Sequence, residues 1–366
     1  MRLLYVTNQI CGSGGLERVL AIKTAYLIEK YGYEIHFITL NQPTQDTFYN
    51  FHKNIIQHNL DTRGNLFNYA EKYIKGLRSI TKKISPDCIS VCDDGLKGLF
   101  VPFYIGKKIP IVYERHVSKT IQLGSSENNN SIIGTIKYKV LNFLMHYGGS
   151  KYDKFIVLTD QNKNEWRLKN LEVISNPLPF KSDEPALLEN KRVIAVGRHH
   201  YQKGYDMLLS IWKDVLESFP NWELYIFGKQ NKDLGLEELA IKKGISKNVV
   251  FKNPVKDIMS EYNKSSIFVL SSRFEGFGMV LIEAMSHGLP CVSFDCPYGP
   301  SDIVEDGQNG YLIPAGDNED FAKKIKKLIS DEQHRKNLGA KAFHSVDRFL
   351  PKHIVPKWDQ LFKELV

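Results

Sequence analysis

Short apolar runs alternate with longer amphipathic stretches along almost the whole chain. RLLYVT, EIHFITL, IIQHNL, DCISVC, IPIVYE and DKFIVLT come first; after a break the rhythm restarts with RVIAVG, WELYIFG, NVVFKN, SIFVLSS, PCVSFD and GYLIP. Such runs, short and nearly continuous in apolar residues, predict strands buried on both faces. The stretches between them carry helical spacing, as from about Leu16 to Tyr31. Strand and helix in alternation predict an α/β fold with parallel sheets covered on both sides. The break is SNPLPFKSDEPALLENK, residues 175–191, polar and with prolines at 177, 179 and 185. It predicts a linker. The pattern therefore gives two doubly wound, Rossmann-like domains, 1–174 and 192–345, and a helical segment 346–366. The helical pattern of that segment follows Pro356 and suits a return onto the first domain. Open parallel sheets bind ligands outside the carboxyl ends of their strands. Two such domains facing across a cleft would line it with their strand-to-helix loops.

Composition adds limits. A chain of 366 residues suits two domains, and 42% hydrophobic with 25% charged residues is an ordinary globular balance. No apolar run reaches the ~20 residues of a membrane-spanning helix. The opening MRLLYVTNQICGSGG turns glycine-rich too soon for a secretory signal and reads as a first buried strand. Cys11, Cys88, Cys92, Cys291 and Cys296 are odd in number and scattered, which suits reduced thiols in the cytoplasm. Cys291 and Cys296 lie near His287, but their spacing matches no usual zinc pattern and a fourth ligand is missing. Net charge is +8, and its placement is uneven. Residues 1–175 hold 23 Lys and Arg against 15 Asp and Glu, whereas residues 176–366 hold 26 of each. All the excess is in the first half, so an anionic partner is expected on one side only.

Several stretches after strands carry candidate chemistry. NQICGSGGLERV places Gly12, Gly14 and Gly15 at a helix start, where amides and the helix dipole favour an anion. The dinucleotide fingerprint fails, because Glu17 stands where its third glycine belongs and the second strand ends without a ribose-binding acid. A tight turn that needs glycine flexibility is the alternative to an anion site. GRHHYQKGYDMLL offers Arg198 and Lys203 on one connection, a fork and a point charge of the kind a diphosphate needs. SSRFEGFGMVLIEAMSHG sets Glu275 on a glycine-rich loop and Glu283 in the helix that follows. Two carboxylates so placed suit hydroxyl pairs on different parts of one long ligand, one on a sugar and one on a ribose. His116, in IVYERHVSK, could bind a substrate hydroxyl or move a proton, although a lone histidine is more often structural. CPYGPSDIVEDGQNGYLIPAGD reads as a rigid loop, a short helix start at Ser301–Asp302 and a turn.

Together, and in this order, these stretches resemble the family 4 glycosyltransferases, retaining enzymes of the GT-B fold. The resemblance spans nearly the whole chain. EGFGMVLIE is similar to the family's E-x7-E motif; GRHHYQKGYDMLL, VEDGQNGYLIPAGD and GGLERV add to it. It implies that Glu275 contacts hydroxyls of the transferred sugar and that Glu283 holds the nucleotide ribose. Arg198 and Lys203 would clamp the diphosphate, helped by the amides of Phe277, Gly278, Met279 and Val280. Gly14 and Gly15 would border the phosphates or the acceptor, and His116 would approach the sugar. No cofactor and no catalytic metal are implied. Asp302 departs from the family's more usual Glu, which puts any role of its loop in doubt. The implied donor is a nucleotide sugar, with UDP-sugars favoured and GDP-mannose open. The implied acceptor is a saccharide, or a polyprenyl-diphosphate-linked one at the cytoplasmic membrane face, as in capsule, lipopolysaccharide or glycan synthesis; nucleic acid is not expected. NYAEKYIKGLRSITKKIS and IIGTIKYKVLNFLMHYGGSKYDK mix bases with apolar residues, and two readings stand: helices lying on anionic lipid, or core helices with a solvated basic face. A sugar-nucleotide epimerase of the same fold and a non-catalytic binder of anionic ligands are the competing functions.

Overall fold

A computed structural model describes residues 1–42, 47–119 and 132–366. The chain divides into two compact units, Met1–Pro179 with Leu350–Val366, and Phe180–Phe349. The strands of the first are β1 (Arg2–Thr7), β2 (Glu34–Leu40), β3 (Ile56–Leu60), β4 (Cys88–Cys92), β5 (Ile111–Glu114), β6 (Lys154–Val157) and β7 (Leu171–Val173). They pair in parallel in the order β3-β2-β1-β4-β5-β6-β7. The second unit holds β8 (Arg192–Val196), β9 (Glu223–Phe227), β10 (Val249–Lys252), β11 (Ile267–Leu270), β12 (Cys291–Asp295) and β13 (Gly310–Pro314). These are also parallel, in the order β10-β9-β8-β11-β12-β13. Each unit is thus a doubly wound sheet whose strand order reverses beside its first strand, between β1 and β4 in one and between β8 and β11 in the other. Central strands such as β4 and β11 are buried at every residue, which is why their sequences read as unbroken apolar runs.

The structure departs from the sequence pattern at several places. β7 is only three half-buried residues at the sheet edge, too short for a pattern to reveal. Residues 175–191 are not a free linker. Ser175–Pro179 stay with the first unit, and the rest is tied to the second. There the Ser182 and Ala186 amides donate to the carbonyls of Ser286 and His287 at 3.3 and 2.8 Å, and the buried Arg335 guanidinium donates to Leu188 O at 3.0 and 3.1 Å. Prolines suit this segment because it lies outside both sheets and owes no donors to a ladder.

The C-terminal helix spans Pro351–Leu365 and belongs to the first unit. It starts before Pro356, not after it. Pro351 sits in its first turn, where a missing N–H costs nothing. The bond lost at Pro356 is offset by burial of Ile354, Val355, Trp358, Leu361 and Phe362 against the unit's core. Tyr33 donates from its hydroxyl to Asp359 Oδ1 at 2.7 Å, fastening the helix to the end of the helix Gly15–Tyr31.

The two lysine-rich helices of the first unit differ. Leu66–Ile84 buries Tyr73, Leu77, Thr81 and Ile84 on one face, the behaviour of a core helix with a solvated basic side. In Ile132–Gly149, Thr135 to Val140 are all exposed. That run exceeds one helical turn, so Thr135 to Val140 are exposed on every face with respect to the described residues. Among the described residues no helix is long and apolar enough to cross a membrane.

Candidate active site

In the second unit the expected residues gather at the reversal point. The connection after β8 carries Arg198 and a 3₁₀ turn Tyr201–Lys203; the connection after β11 carries Ser271 to Gly278. The two are laced together. Ser271 Oγ donates to Lys203 O at 2.9 Å, Gln202 Nε2 to Phe274 O at 2.9 Å, and Arg273 N to Gln202 O at 2.7 Å. The Arg273 guanidinium holds Asp206 in a fork at 2.9 and 2.6 Å. Gly204 makes this closeness possible: its φ is 61°, and a Cβ there would lie 2.2 Å from Ser271 O.

Within this frame Lys203 Nζ stands 2.7 Å from Glu275 Oε1, and Ser272 Oγ donates to the same oxygen at 2.6 Å. No described residue donates to Glu275 Oε2. The Glu275 backbone is pinned as well, its amide donating to Pro297 O at 2.6 Å and its carbonyl accepting from Tyr298 N at 3.2 Å. Arg198 is exposed, and its guanidinium has no hydrogen-bond or ion-pair partner among the described residues. The amides of Phe277, Gly278, Met279 and Val280, at the start of the helix Met279–Met285, likewise donate to no described acceptor. An unpaired guanidinium and four successive unspent amides therefore lie on the connections that follow two neighbouring strands, β8 and β11. Glu283 lies deeper, 3% exposed, and its Oε2 accepts from Tyr262 OH at 3.2 Å.

His287, Cys291 and Cys296 are buried and separate in role. The His287 Nδ1 is 2.8 Å from Asn263 Oδ1, and burial pushes its pKa down to about 4. Burial raises both thiols far above their ordinary range.

In the first unit the glycine-rich connection follows β1. Gly14 caps the helix Gly15–Tyr31. The Glu17 carboxylate folds back over the loop: a Cβ on Gly12 would fall 2.2 Å from Glu17 Oε1 and one on Gly14 2.6 Å from Oε2. Gln9 Nε2 donates to Oε1 at 3.2 Å. The residue that breaks the dinucleotide fingerprint therefore places an acid where that fingerprint has a phosphate, at the positive end of the helix. Such a loop suits a hydroxyl better than a second anion. Asn8 Nδ2 donates to Asp93 Oδ1 at 3.2 Å, joining the ends of β1 and β4 across the reversal point. His116, just past β5, receives support from Glu114 Oε2, 3.2 Å from its Nε2, and its amide donates to Asp94 Oδ1 at 3.2 Å. Its Nδ1 is enclosed and has no partner among the described residues.

Glu17, Ser272, Tyr262 and the Arg273–Asp206 fork carry no signal of their own in the sequence. Each acts through a partner brought close by folding.

Residues 180–345, nearly all of the second unit, match the family described as "Glycosyl transferases group 1". Over 98% of its length the chain is 29% identical to the amylovoran biosynthesis glycosyltransferase AmsD of Erwinia amylovora, covering 99% of that protein. It is 29% identical to the lipopolysaccharide 1,6-galactosyltransferase of Escherichia coli K12 over 54% of this chain and 55% of that one. Anabaena HepE, solved in complex with UDP-glucose, superposes with a TM-score of 0.78 across 100% of both chains at 18% identity. By this match the second unit is a glycosyl transferases group 1 domain, and the fold of the chain is the GT-B fold.

Proposed function

We propose that the chain is a retaining, family 4 glycosyltransferase that moves a hexose or N-acetylhexosamine from a UDP-sugar to a saccharide or polyprenyl-diphosphate-linked saccharide in polysaccharide or lipopolysaccharide synthesis. The reading is carried by the unspent donors, Arg198 and the Phe277–Val280 amides, on the two laced connections that also hold the Lys203–Glu275 pair. A diphosphate suits these donors without a metal, since guanidinium, ammonium and amides together supply its neutralisation. Glu275 Oε2 then accepts from hydroxyls of the donor sugar, and Glu283 from the ribose. The likeness to AmsD and to the galactosyltransferase supports a polysaccharide or lipopolysaccharide product, and the HepE complex supports a uridine donor.

The first unit takes the acceptor. Its positive excess suits a diphosphate-linked lipid, and the Glu17 carboxylate over Gly12 and Gly14 suits an acceptor hydroxyl at the Gly14–Gly15 loop. His116 approaches the transferred sugar. In the transfer step the bond between anomeric carbon and phosphate oxygen breaks as the acceptor oxygen bonds on the same face, and the departing phosphate takes the acceptor's proton. Arg198 and Lys203 stabilise the leaving charge. The exposed half of the helix Ile132–Gly149 rests on the cytoplasmic face of an anionic membrane. The test is a panel of nucleotide sugars, in the presence of a chelator, with isoprenoid-diphosphate saccharides as acceptors and the product's anomeric configuration read by NMR. Transfer from a UDP-sugar with retained configuration is expected. Consumption of donor without an acceptor would favour an epimerase instead, and inversion would overturn the mechanism.

A further inference from the structure

Behind His116 the first unit buries a charged pair that the transfer chemistry above does not use. Lys23, on the helix Gly15–Tyr31, is 0% exposed, and its Nζ lies 2.6 and 2.5 Å from the two oxygens of Glu114, which is 1% exposed. Two buried charges are costly to keep, and they persist only where their geometry is well satisfied. Here it is. Glu114 also accepts from Ser90 Oγ, and Lys23 lies against the rings of Trp358 and Tyr5, 3.9 and 5.1 Å from their centres. Burial alone would push the Glu114 carboxyl up; the Lys23 charge and the His116 contact hold it down to about 2. Glu114 is therefore ionised and has no hydrogen to give, so the 3.2 Å contact to His116 requires the hydrogen to sit on Nε2. In the neutral ring Nδ1 is then a bare lone pair. It is the atom left enclosed and without a partner among the described residues, an acceptor that a hydroxyl donor would satisfy.

The Cys92 sulfur, a Glu114 oxygen and a His116 nitrogen lie within 4.8 Å of one another, a cluster of the size that holds a metal. The Lys23 ammonium already contacts both Glu114 oxygens, and burial keeps the Cys92 thiol well above its ordinary range. The positive charge of this cluster is the lysine's own.

We infer that Lys23 and Glu114 are positioning residues for glycosyl transfer: the buried pair fixes His116 as its Nε2–H tautomer, leaving Nδ1 to accept a hydrogen bond from a hydroxyl of the bound saccharide. The C-terminal helix takes part, since Trp358 roofs Lys23. The assignment rests on the proposed function for its substrate, but the tautomer itself is readable without substrate. A fork of two oxygens held by an ammonium fixes both the rotation and the hydrogen of the ring, as second-sphere carboxylates do for histidine elsewhere.

The test is nitrogen NMR of the full chain labelled in its histidine rings, with the His116 signal identified by its loss in His116→Gln. The wild type is expected to show His116 protonated at Nε2 and bare at Nδ1 when neutral. Lys23→Met combined with Glu114→Gln removes both charges at nearly constant volume, so no lone buried charge remains. It is expected to show an Nδ1–H form and to lower kcat by about tenfold or more, with the donor KM changed less than about threefold. Glu114→Asp, which keeps the charge, is expected to keep the tautomer and recover part of kcat. A wild-type ring bare at Nε2 overturns the proposal whether or not the double variant folds. A double variant that shifts the tautomer yet turns over at the wild-type rate overturns the positioning role and leaves glycosyl transfer intact. A wild type that transfers no sugar overturns both.

Discussion

Arg198 and Lys203 share one connection but stand under opposite constraints. Arg198 is exposed and without a protein partner, so the fold does not need it. Arg198→Ala is expected to leave the urea midpoint within about 0.5 kcal/mol of wild type. It should weaken UDP binding, measured by calorimetry, by about tenfold or more, the loss of one or two charge-assisted hydrogen bonds. Lys203 is mostly buried against Glu275. Lys203→Met leaves that carboxylate enclosed and unpaired, and about 3 kcal/mol of stability is expected to be lost in the same urea titration. Arg198, Lys203 and Glu275 were picked out of the sequence because each lies on a connection after a strand and beside a glycine, and Glu283 by its spacing from Glu275. That Lys203 and Glu275 pair was not legible, since 72 residues separate them and only the lacing of the two connections brings them together. Glu17 was legible only as a missing glycine. Its carboxylate over the loop depends on a side-chain fold that no spacing rule encodes.

At the scale of elements, the connection after β8 and the connection after β11 act as one piece. Gly204→Ala would drive a Cβ into Ser271 O at a left-handed φ, so about 1–3 kcal/mol of destabilisation is expected, with a parallel loss of donor affinity. The helix that carries Glu283 is followed by a pH-sensitive residue. His287 is enclosed by Phe180, Tyr262 and Asn263, and burial lowers its pKa from 6.5 to about 4. As pH falls through 6.5 the unfolded chain takes up a proton that the folded chain refuses until about 4. Stability is therefore full above pH 6.5 and declines towards pH 4, by on the order of 1–2 kcal/mol after allowing for screening. Subtracting the pH profile of His287→Gln from that of the wild type in thermal unfolding isolates the effect. The C-terminal helix shows the limit of local reading: Pro356 looks like a helix start in isolation, and only the apolar face packed on the first unit reveals that the helix runs through it.

At the scale of the molecule, the alternation of apolar runs and amphipathic stretches was enough to give two doubly wound sheets, because parallel strands buried on both faces leave an unmistakable pattern in the sequence. The edge strand β7 escaped because three half-buried residues have no period to display. The basic excess of the first half was visible by counting, whereas its division between a core helix and an uncovered one required burial, residue by residue. The uncovered helix sets a further expectation. Replacing Lys137 and Lys139 by Gln, together with Ile136→Ser and Phe143→Ser, is expected to reduce flotation with anionic vesicles severalfold while leaving the melting temperature within a few degrees. Unchanged flotation would remove the membrane from the account. In the proposed function the second unit grips a nucleotide sugar by its diphosphate with fixed protein donors. A crystal structure with a bound, non-transferable UDP-sugar analogue in chelator tests it most directly. Phosphate oxygens are expected within hydrogen-bonding distance of Arg198, Lys203 and the Phe277–Val280 amides, with Glu275 on the sugar. A diphosphate bound elsewhere, or bound only when a divalent metal is supplied, would contradict it.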